Sequence, residues 1–169
     1  MKPLKSTVLN FKQLSLITAI FTLVSCAPDK PIVLGSSDFQ NSVDKVTSIM
    51  VHDIFSPPVA SRIYAYPNIA AYEILAQSDP KMSSLTQSIK HLKPIPQAKD
   101  STLNLELAAL IAHMELSKSL VFSEEQMQQY QDSLYGIWSK QNKAEFTKAK
   151  DYGLAVAGHI KLWFRIEPS

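Results

Sequence analysis

The chain has 169 residues, of which 17 are Lys or Arg and 15 are Asp or Glu, for a formal net charge of +2. This balance excludes the strongly basic surface that binds nucleic-acid backbones, so we expect no nucleic-acid partner. A single cysteine excludes an intramolecular disulfide. Four glycines against ten prolines favour helices joined by proline-containing connectors. We therefore predict an all-α helical bundle with one hydrophobic core.

The N-terminal segment has the layout of a secretory signal rather than of a fold element. Lysines precede an apolar run at 14–24, which is shorter than the roughly 20 residues that cross a bilayer. The run closes with Leu-Val-Ser directly before Cys26, a pattern that resembles the lipobox of bacterial lipoprotein precursors. The resemblance implies cleavage before Cys26 and acylation of Cys26, so that lipid attaches the protein to a membrane.

We therefore divide the chain into a lipoprotein signal peptide at 1–25, a lipid-anchored tether at 26–41 and an α-helical domain at 42–169. The protein is predicted to lie in the bacterial cell envelope, on the periplasmic or outer side of a membrane. Loss of the signal would remove three of the 17 basic residues, leaving 14 against 15 acidic ones and a nearly neutral mature chain. Two alternatives stay open: a cleaved signal that leaves a free thiol, and a short anchor helix.

Apolar residues at helical spacing predict helices along the rest of the chain. The first stripe begins at Ser42 and ends just before Ser56. Ser56 suits the N-cap of a second helix, with Pro57 at its first position. That helix is apolar on nearly all sides over 59–76, which predicts burial, and Pro67 within it should kink or split it.

Four further elements complete the predicted bundle. A short helix is expected at 82–92. Apolar residues at 103–114 predict an amphipathic helix with one buried face. The sequence Ser-Glu-Glu-Gln from Ser123 has the pattern of a capping box, in which Ser and Gln bond each other's free backbone amides at the start of a helix. A last helix is predicted over 141–164.

Few residues suggest a chemical function. The four histidines lack the i, i+4 spacing of a helical zinc site, so no metal ligand is predicted. His52 and Asp53 are sequence neighbours, which point about 100° apart on a helix, so we expect them to make separate contacts. No phosphate-binding loop and no Gly-x-Ser-x-Gly motif occurs, and no catalytic residue is assigned.

Arg62 stands out because it lies within an apolar helix. A buried guanidinium needs a partner, and Glu73, three turns further on, would pair with it only if the helix bends at Pro67. Arg62, Glu73 and His52 are therefore the candidates for a structural role or for support of an anion site. An unrecognised active site around His52, Arg62 and His113 is a further alternative.

The region around Arg62 resembles a known family. The similarity lies in Val-His-Asp-Ile-Phe-Ser-Pro-Pro-Val-Ala-Ser-Arg-Ile-Tyr-Ala-Tyr at 51–66 and Ala-Ala-Tyr-Glu at 70–73. These residues resemble the N-terminal helical part of bacterial lipoproteins in the vanadium-dependent haloperoxidase and type 2 phosphatidic acid phosphatase (PAP2) superfamily. The resemblance is most specific over 46–75. It implies that the helical domain is the N-terminal half of a larger α-helical PAP2/haloperoxidase-like domain.

Members of this superfamily bind phosphate or vanadate through three motifs, Lys-x6-Arg-Pro, Pro-Ser-Gly-His and Ser-Arg-x5-His-x3-Asp. The first two are absent here, and Ser61-Arg62 begins the third but is followed by Asn68 and Tyr72 at the His and Asp positions. The resemblance therefore implies phosphoester hydrolysis or vanadate-dependent halide oxidation in full-length relatives, and neither activity nor cofactor in this chain alone. Besides the membrane, its expected partner is the missing C-terminal half or a protein that covers the apolar face. The alternative is a stand-alone helical envelope lipoprotein that acts as a binding or scaffold module.

Overall fold

A computed structural model describes residues 30–166, and these residues form five α-helices and no strand. The helices are α1 (Ser36–His52), α2 (Pro57–Leu75), α3 (Leu105–Lys118), α4 (Glu124–Gln141) and α5 (Lys143–Ile166), with a 3-10 turn at Leu85–Gln87 between α2 and α3. The predicted all-α class is confirmed. None of the described helices combines the length and the apolar character needed to cross a bilayer.

Helix α3 is the centre of the bundle. It contacts each of the other four helices, most extensively α2 and α5. Every residue over 107–114 is buried, because α3 carries apolar side chains on all sides of this stretch apart from His113. The helix predicted at 103–114 is confirmed, but the expectation of one buried face is wrong, because all sides of the stretch 107–114 are covered.

A glycine allows α5 to approach α3 closely. A Cβ atom at Gly153 would lie 2.7 Å from the carbonyl oxygen of Ala108 and 3.1 Å from the Cγ2 atom of Ile111. Interiors are packed too densely to absorb such an overlap without movement of the backbone. Gly153 therefore sets the spacing of two helices that form the core.

Helix α2 begins where the sequence indicates, with Ser56 as N-cap and Pro57 as the first helical residue. It continues through Pro67 without a break, so the predicted split is wrong. Pro67 has no amide to donate to the carbonyl of Ile63. Burial of the Pro67 ring, and of Ile63 and Ala70 on either side, stabilises the helix despite the lost hydrogen bond.

Two predicted boundaries need correction. The domain includes part of the predicted tether at 26–41, because α1 begins at Ser36 and Ile32 is only 3% exposed. The helix expected at 82–92 is reduced to the 3-10 turn Leu85–Gln87. There the Ser84 hydroxyl accepts a hydrogen bond from the Thr86 amide, and such local side-chain bonds compete with helix formation.

A polar cluster ties the segment at 30–35 to the bundle. The Glu145 carboxylate accepts hydrogen bonds from the Ile32 amide (3.0 Å) and from the side-chain amides of Asn104 (2.7 Å) and Asn142 (3.0 Å). Asn104 also donates to the carbonyl of Ile32, at 2.8 Å. These four residues, named the clamp below, join the N-terminal segment to the first turns of α3 and α5.

Candidate functional site

Two of the residues considered for chemistry meet where α1 ends and α4 begins. The Asp53 carboxylate accepts hydrogen bonds from the backbone amides of Phe122 (2.8 Å) and Ser123 (2.9 Å) and from the Ser123 hydroxyl. His52 Nδ1 lies 3.1 Å from Asp53 Oδ1. The predicted separation of His52 and Asp53 is wrong, because the two side chains contact each other at the C-terminal end of α1.

These hydrogen bonds set the ionisation of Asp53. Its side chain is 3% exposed, and burial alone raises the pKa of a carboxyl group. The donors Ser123, His52 and Phe122 outweigh burial and lower the pKa of Asp53 to about 2. The side chain is therefore ionised at neutral pH, and its negative charge stabilises the N-terminal end of α4.

The side chains of His52, Asp53 and Ser123 have the composition of a catalytic triad but not its geometry. In a triad, the carboxylate and the hydroxyl bind opposite nitrogens of the imidazole ring. Here Asp53 Oδ1 and Ser123 Oγ both lie beside His52 Nδ1, at 3.1 Å and 3.3 Å, and the hydroxyl donates a hydrogen bond to Asp53 Oδ1. The carboxylate and the hydroxyl therefore do not lie on opposite sides of the imidazole, and the cluster joins the end of α1 to the start of α4.

The hydrogen bonds of the capping box predicted from Ser123 are not formed. Ser123 is the N-cap residue of α4, but its side chain makes no capping hydrogen bond to the helix. The hydroxyl donates to Asp53 instead. A carboxylate from a different helix thus replaces the local cap.

Arg62 is exposed to solvent on α2, so the expected buried guanidinium is wrong. Pro58, Val59 and Ser61 are exposed as well. The first half of α2 is therefore buried on one side only, although its sequence is apolar on nearly all sides. Since burial was the reason to expect a charged partner for Arg62, its pairing with Glu73 loses its physical basis.

Glu73 is buried, at 3% exposure, and its carboxylate contacts a loop instead of Arg62. One oxygen accepts the backbone amide of Leu85 (2.6 Å) and the other accepts the hydroxyl of Ser84 (2.8 Å). A buried carboxylate with a donor on each oxygen satisfies the requirement for hydrogen bonding inside a protein. Glu73 thus holds the loop after α2 against the bundle.

Two cavities among the described residues could hold a ligand. The first has a volume of about 290 Å³ and is lined by Glu73, Ala76, Gln77, Ser84, Thr86, Pro94, Ile95 and Gln97. The second, of about 250 Å³, is lined by Leu34, Gly35, Ser36, Phe39, Leu75, Glu106, Ala109 and Leu110. Phosphate and vanadate require cationic or N–H donors around their oxygens. Each cavity has a glutamate and no Lys, Arg or His in its lining, so neither fits such an oxyanion.

His113 lies in the core, with 2% exposure. Its Nδ1 atom is 3.0 Å from the Ser42 hydroxyl, and its ring centroid is 4.8 Å from that of Phe39. Burial lowers the pKa of His113 to about 4. His52 lies ten residues beyond Ser42 along α1, which corresponds to about 15 Å. The structure therefore does not bring His52, Arg62 and His113 together as one site.

Cys26 lies outside the described residues, so the predicted lipidation site and signal peptide have no structural counterpart here. Within residues 30–166, no group of three or more His, Cys, Asp or Glu side chains is placed to hold a metal ion.

The sequence interpretation missed the clamp, although a signal for it exists. The Asn104 side chain accepts the amide of Leu107 (2.9 Å), and the Asn142 side chain accepts the amide of Glu145 (3.1 Å). An Asn directly before a helical stripe is a typical N-cap. The caps could be read from the sequence, whereas the shared bonding to Glu145 depends on the tertiary fold.

Comparison with known proteins identifies the fold. No family model matches the chain, and no curated protein matches it. Among solved structures, the chain matches the crystal structure described as that of the first bacterial vanadium-dependent iodoperoxidase, with 50% sequence identity and a TM-score of 0.79. The match covers 81% of this chain and 33% of that chain, so the protein described here spans about a third of the length of the iodoperoxidase. The described residues therefore have the helical fold of part of a vanadium haloperoxidase.

Proposed function

We propose that this chain is the non-catalytic, N-terminal helical part of a lipid-anchored PAP2/vanadium haloperoxidase-like protein of the bacterial cell envelope. The observation that carries the proposal is the match to the iodoperoxidase, at 50% identity over 81% of this chain but only 33% of that protein. The parent activity would be vanadate-dependent halide oxidation or phosphoester hydrolysis. Under this proposal, the residues that perform it lie in polypeptide beyond the matched third.

The charges of the chain support a non-catalytic role. The sequence has two arginines, Arg62 and Arg165, and both are exposed. The negative oxygens of phosphate or vanadate are stabilised by several donors that converge on one point. Two exposed arginines, and cavities whose charged lining residues are Glu73 and Glu106, do not supply such a point. The two cavities thus do not fit vanadate, and no catalytic step is assigned to the residues that line them.

Activity assays test this proposal. We expect the purified mature protein to hydrolyse p-nitrophenyl phosphate no faster than the heat-denatured protein. With added vanadate and hydrogen peroxide, we expect no oxidation of iodide, while the full-length iodoperoxidase is active as the positive control. Turnover that Arg62→Ala abolishes and Arg165→Ala leaves unchanged would overturn the proposal, because it would place an active site on α2.

Lipid attachment is tested separately by mass spectrometry of the protein from membranes. We expect a mature N-terminus at Cys26 with the added mass of acyl chains, and a Cys26→Ser variant that remains unprocessed. An unmodified thiol at that N-terminus would support the alternative of an ordinary cleaved signal.

A stand-alone envelope lipoprotein that binds or scaffolds a partner is the second candidate. The core around α3 favours it, because helices of the same chain bury all sides of α3 over 107–114. Against it, three large apolar side chains are exposed around the α1–α4 junction: Val51 (74%), Ile54 (88%) and Phe122 (78%). A self-contained domain should melt cooperatively and bind little hydrophobic dye, whereas part of a larger domain should bind dye at this junction.

A further inference from the structure

We propose that the clamp fixes the orientation of the domain on the membrane. The surface that faces the bilayer is formed by Lys30, Val33, Lys140 and Lys143 and is named the tether face. Its three lysines contact the phosphate groups of lipids. This inference rests on the acylation of Cys26 proposed above.

The short link between lipid and domain carries the first step. Cys26 lies six residues before Ile32, and six residues span at most about 20 Å even when fully extended. Ile32 is buried, with its amide and its carbonyl both bonded within the clamp. An acyl chain on Cys26 therefore keeps the clamped end of the bundle within this distance of the bilayer.

The helix directions define which end is held. The clamp contains Asn104 at the start of α3 and Glu145 in the first turn of α5. Helix α1 begins at Ser36, close to the clamp, and its 17 residues extend for about 25 Å. The junction at Asp53 thus lies at the opposite end of α1 and points away from the membrane.

The composition of the tether face matches a lipid headgroup layer. Gln141 donates a hydrogen bond to the carbonyl of Pro31, at 2.8 Å. This contact places the segment that carries Lys140 and Lys143 next to the segment that carries Lys30. All three lysines are exposed, and Val33 next to them is 79% exposed. Lysine side chains beside apolar groups suit the membrane interface, since the stems contact apolar material and the ammonium groups contact phosphate.

Carboxylates at the clamped end of the bundle restrict the membrane contact to the side that carries the lysines. Glu145 points into the clamp, and Asp38 accepts a hydrogen bond from the nearby backbone. Glu106 is exposed and lines the second cavity, so this cavity lies outside the tether face. Asp29 directly precedes Lys30 in the sequence, so Lys140 and Lys143 are the lysines chosen for the test below.

Matched probes at the two ends of α1 test the orientation. Cys26 is the only cysteine of the chain, so in the lipidated protein Val33→Cys and Val51→Cys each introduce a single reactive thiol. The two valines are similarly exposed, at 79% and 74%. With a fluorescent donor on the thiol and an acceptor on lipid headgroups, we expect higher energy transfer from position 33, because position 51 stands about 25 Å further from the bilayer. Equal transfer from both positions would overturn the proposed orientation.

Charge reversal tests the lysine contact on the same vesicles. Adding phosphatidylglycerol to phosphatidylcholine should raise the transfer from position 33, since each lysine near an anionic surface favours that orientation by about fivefold. Lys140→Glu with Lys143→Glu should remove this rise. The control pair Lys90→Glu with Lys93→Glu should keep it, because the backbones at Lys90 and Lys93 contact Trp163 and His159 near the far end of α5.

The possible results separate this inference from the proposal on which it rests. If mass spectrometry finds no acyl group on Cys26, both are overturned. If Cys26 is acylated but the phosphatidylglycerol effect survives reversal of Lys140 and Lys143, the lysine contact alone is overturned. Circular dichroism of each variant shows whether the fold is kept. If only the control pair loses helical signal, the test is decided by comparing the Lys140 and Lys143 variant with the parent protein.

Discussion

The buried histidine of α3 makes the stability of the protein depend on pH. His113 is 2% exposed, bonded to Ser42 and packed against Phe39. Burial lowers its pKa from the ordinary value of 6.5 to about 4. Between these two values, the unfolded chain binds a proton that the folded chain does not.

The sign and size of the effect follow from this difference. The stability that neutral His113 contributes is fully present above pH 6.5 and is lost as the pH falls from 6.5 towards 4. One pKa unit corresponds to about 1.4 kcal/mol, so the shift is worth about 3 kcal/mol in total. Between pH 7 and pH 5, we expect the free energy of unfolding to fall by about 2 kcal/mol on account of His113.

Thermal unfolding followed by circular dichroism measures this loss. For a domain of this size, 2 kcal/mol corresponds to a fall in Tm of about 6 °C between pH 7 and pH 5. His113→Gln is the matched variant, because its amide can still bond Ser42 but does not titrate. Poorer packing of the new side chain would lower the Tm of the variant at both pH values. The informative quantity is therefore the change in Tm of each protein between pH 7 and pH 5.

The pH-dependent change in Tm is compared between the parent protein and the His113→Gln variant. His52, His91 and His159 are present in both, so any contribution from them cancels in the difference. We expect the pH-dependent fall in Tm to be larger in the parent protein than in His113→Gln. Equal falls in both proteins would contradict this expectation, because they would show that His113 is protonated in the folded state as readily as in the unfolded state.

Three further predictions concern packing and backbone conformation. Gly153→Ala should lower the free energy of unfolding by about 1–3 kcal/mol, because its Cβ would overlap the carbonyl of Ala108. Gly158→Ala should raise the free energy of unfolding by about 1 kcal/mol, because its Cβ would meet nothing within 4 Å. Denaturant titrations that rank the two variants the other way would contradict this packing. Glu145→Ala should lower the free energy of unfolding by about 2 kcal/mol, since it removes the acceptor of three hydrogen bonds. It should also speed proteolysis within residues 30–35, and an unchanged rate of cleavage there would argue against the clamp. Ile54 is 88% exposed and has a φ of 56°, so Ile54→Gly should raise Tm by relieving about 1 kcal/mol of backbone strain, whereas a lower Tm would show that this side chain makes a stabilising contact.

The local sequence predicted the helices well where their signals are short-range. Ser56 and Pro57 mark the start of α2, and Ser123 is the N-cap of α4. Such signals act between residues a few positions apart, so they can be read without knowledge of the fold. The same reasoning overextended the segment at 82–92, where hydroxyl groups such as that of Ser84 bond the nearby backbone.

Burial was harder to predict, because it depends on how many neighbours a helix has. The sequence at 59–76 is apolar on nearly all sides, yet Arg62 and the first half of α2 face solvent. Helix α3 was expected to have one buried face and is instead enclosed by four helices. An apolar pattern indicates which faces can be buried, but the packing of the bundle decides which of them are covered.

The all-α class, the main helix starts and the resemblance to the vanadium haloperoxidase and PAP2 superfamily can be predicted from the amino-acid sequence, because they depend on periodicity, caps and short motifs. Which polar residues meet depends on the packing of the helices. His113 and Ser42 are 71 positions apart, and Ile32 and Glu145 are 113 positions apart. No local pattern encodes such contacts, since they exist only after the helices that carry them have packed together. The neutral core histidine and the clamp that holds the N-terminal segment are therefore properties of the fold.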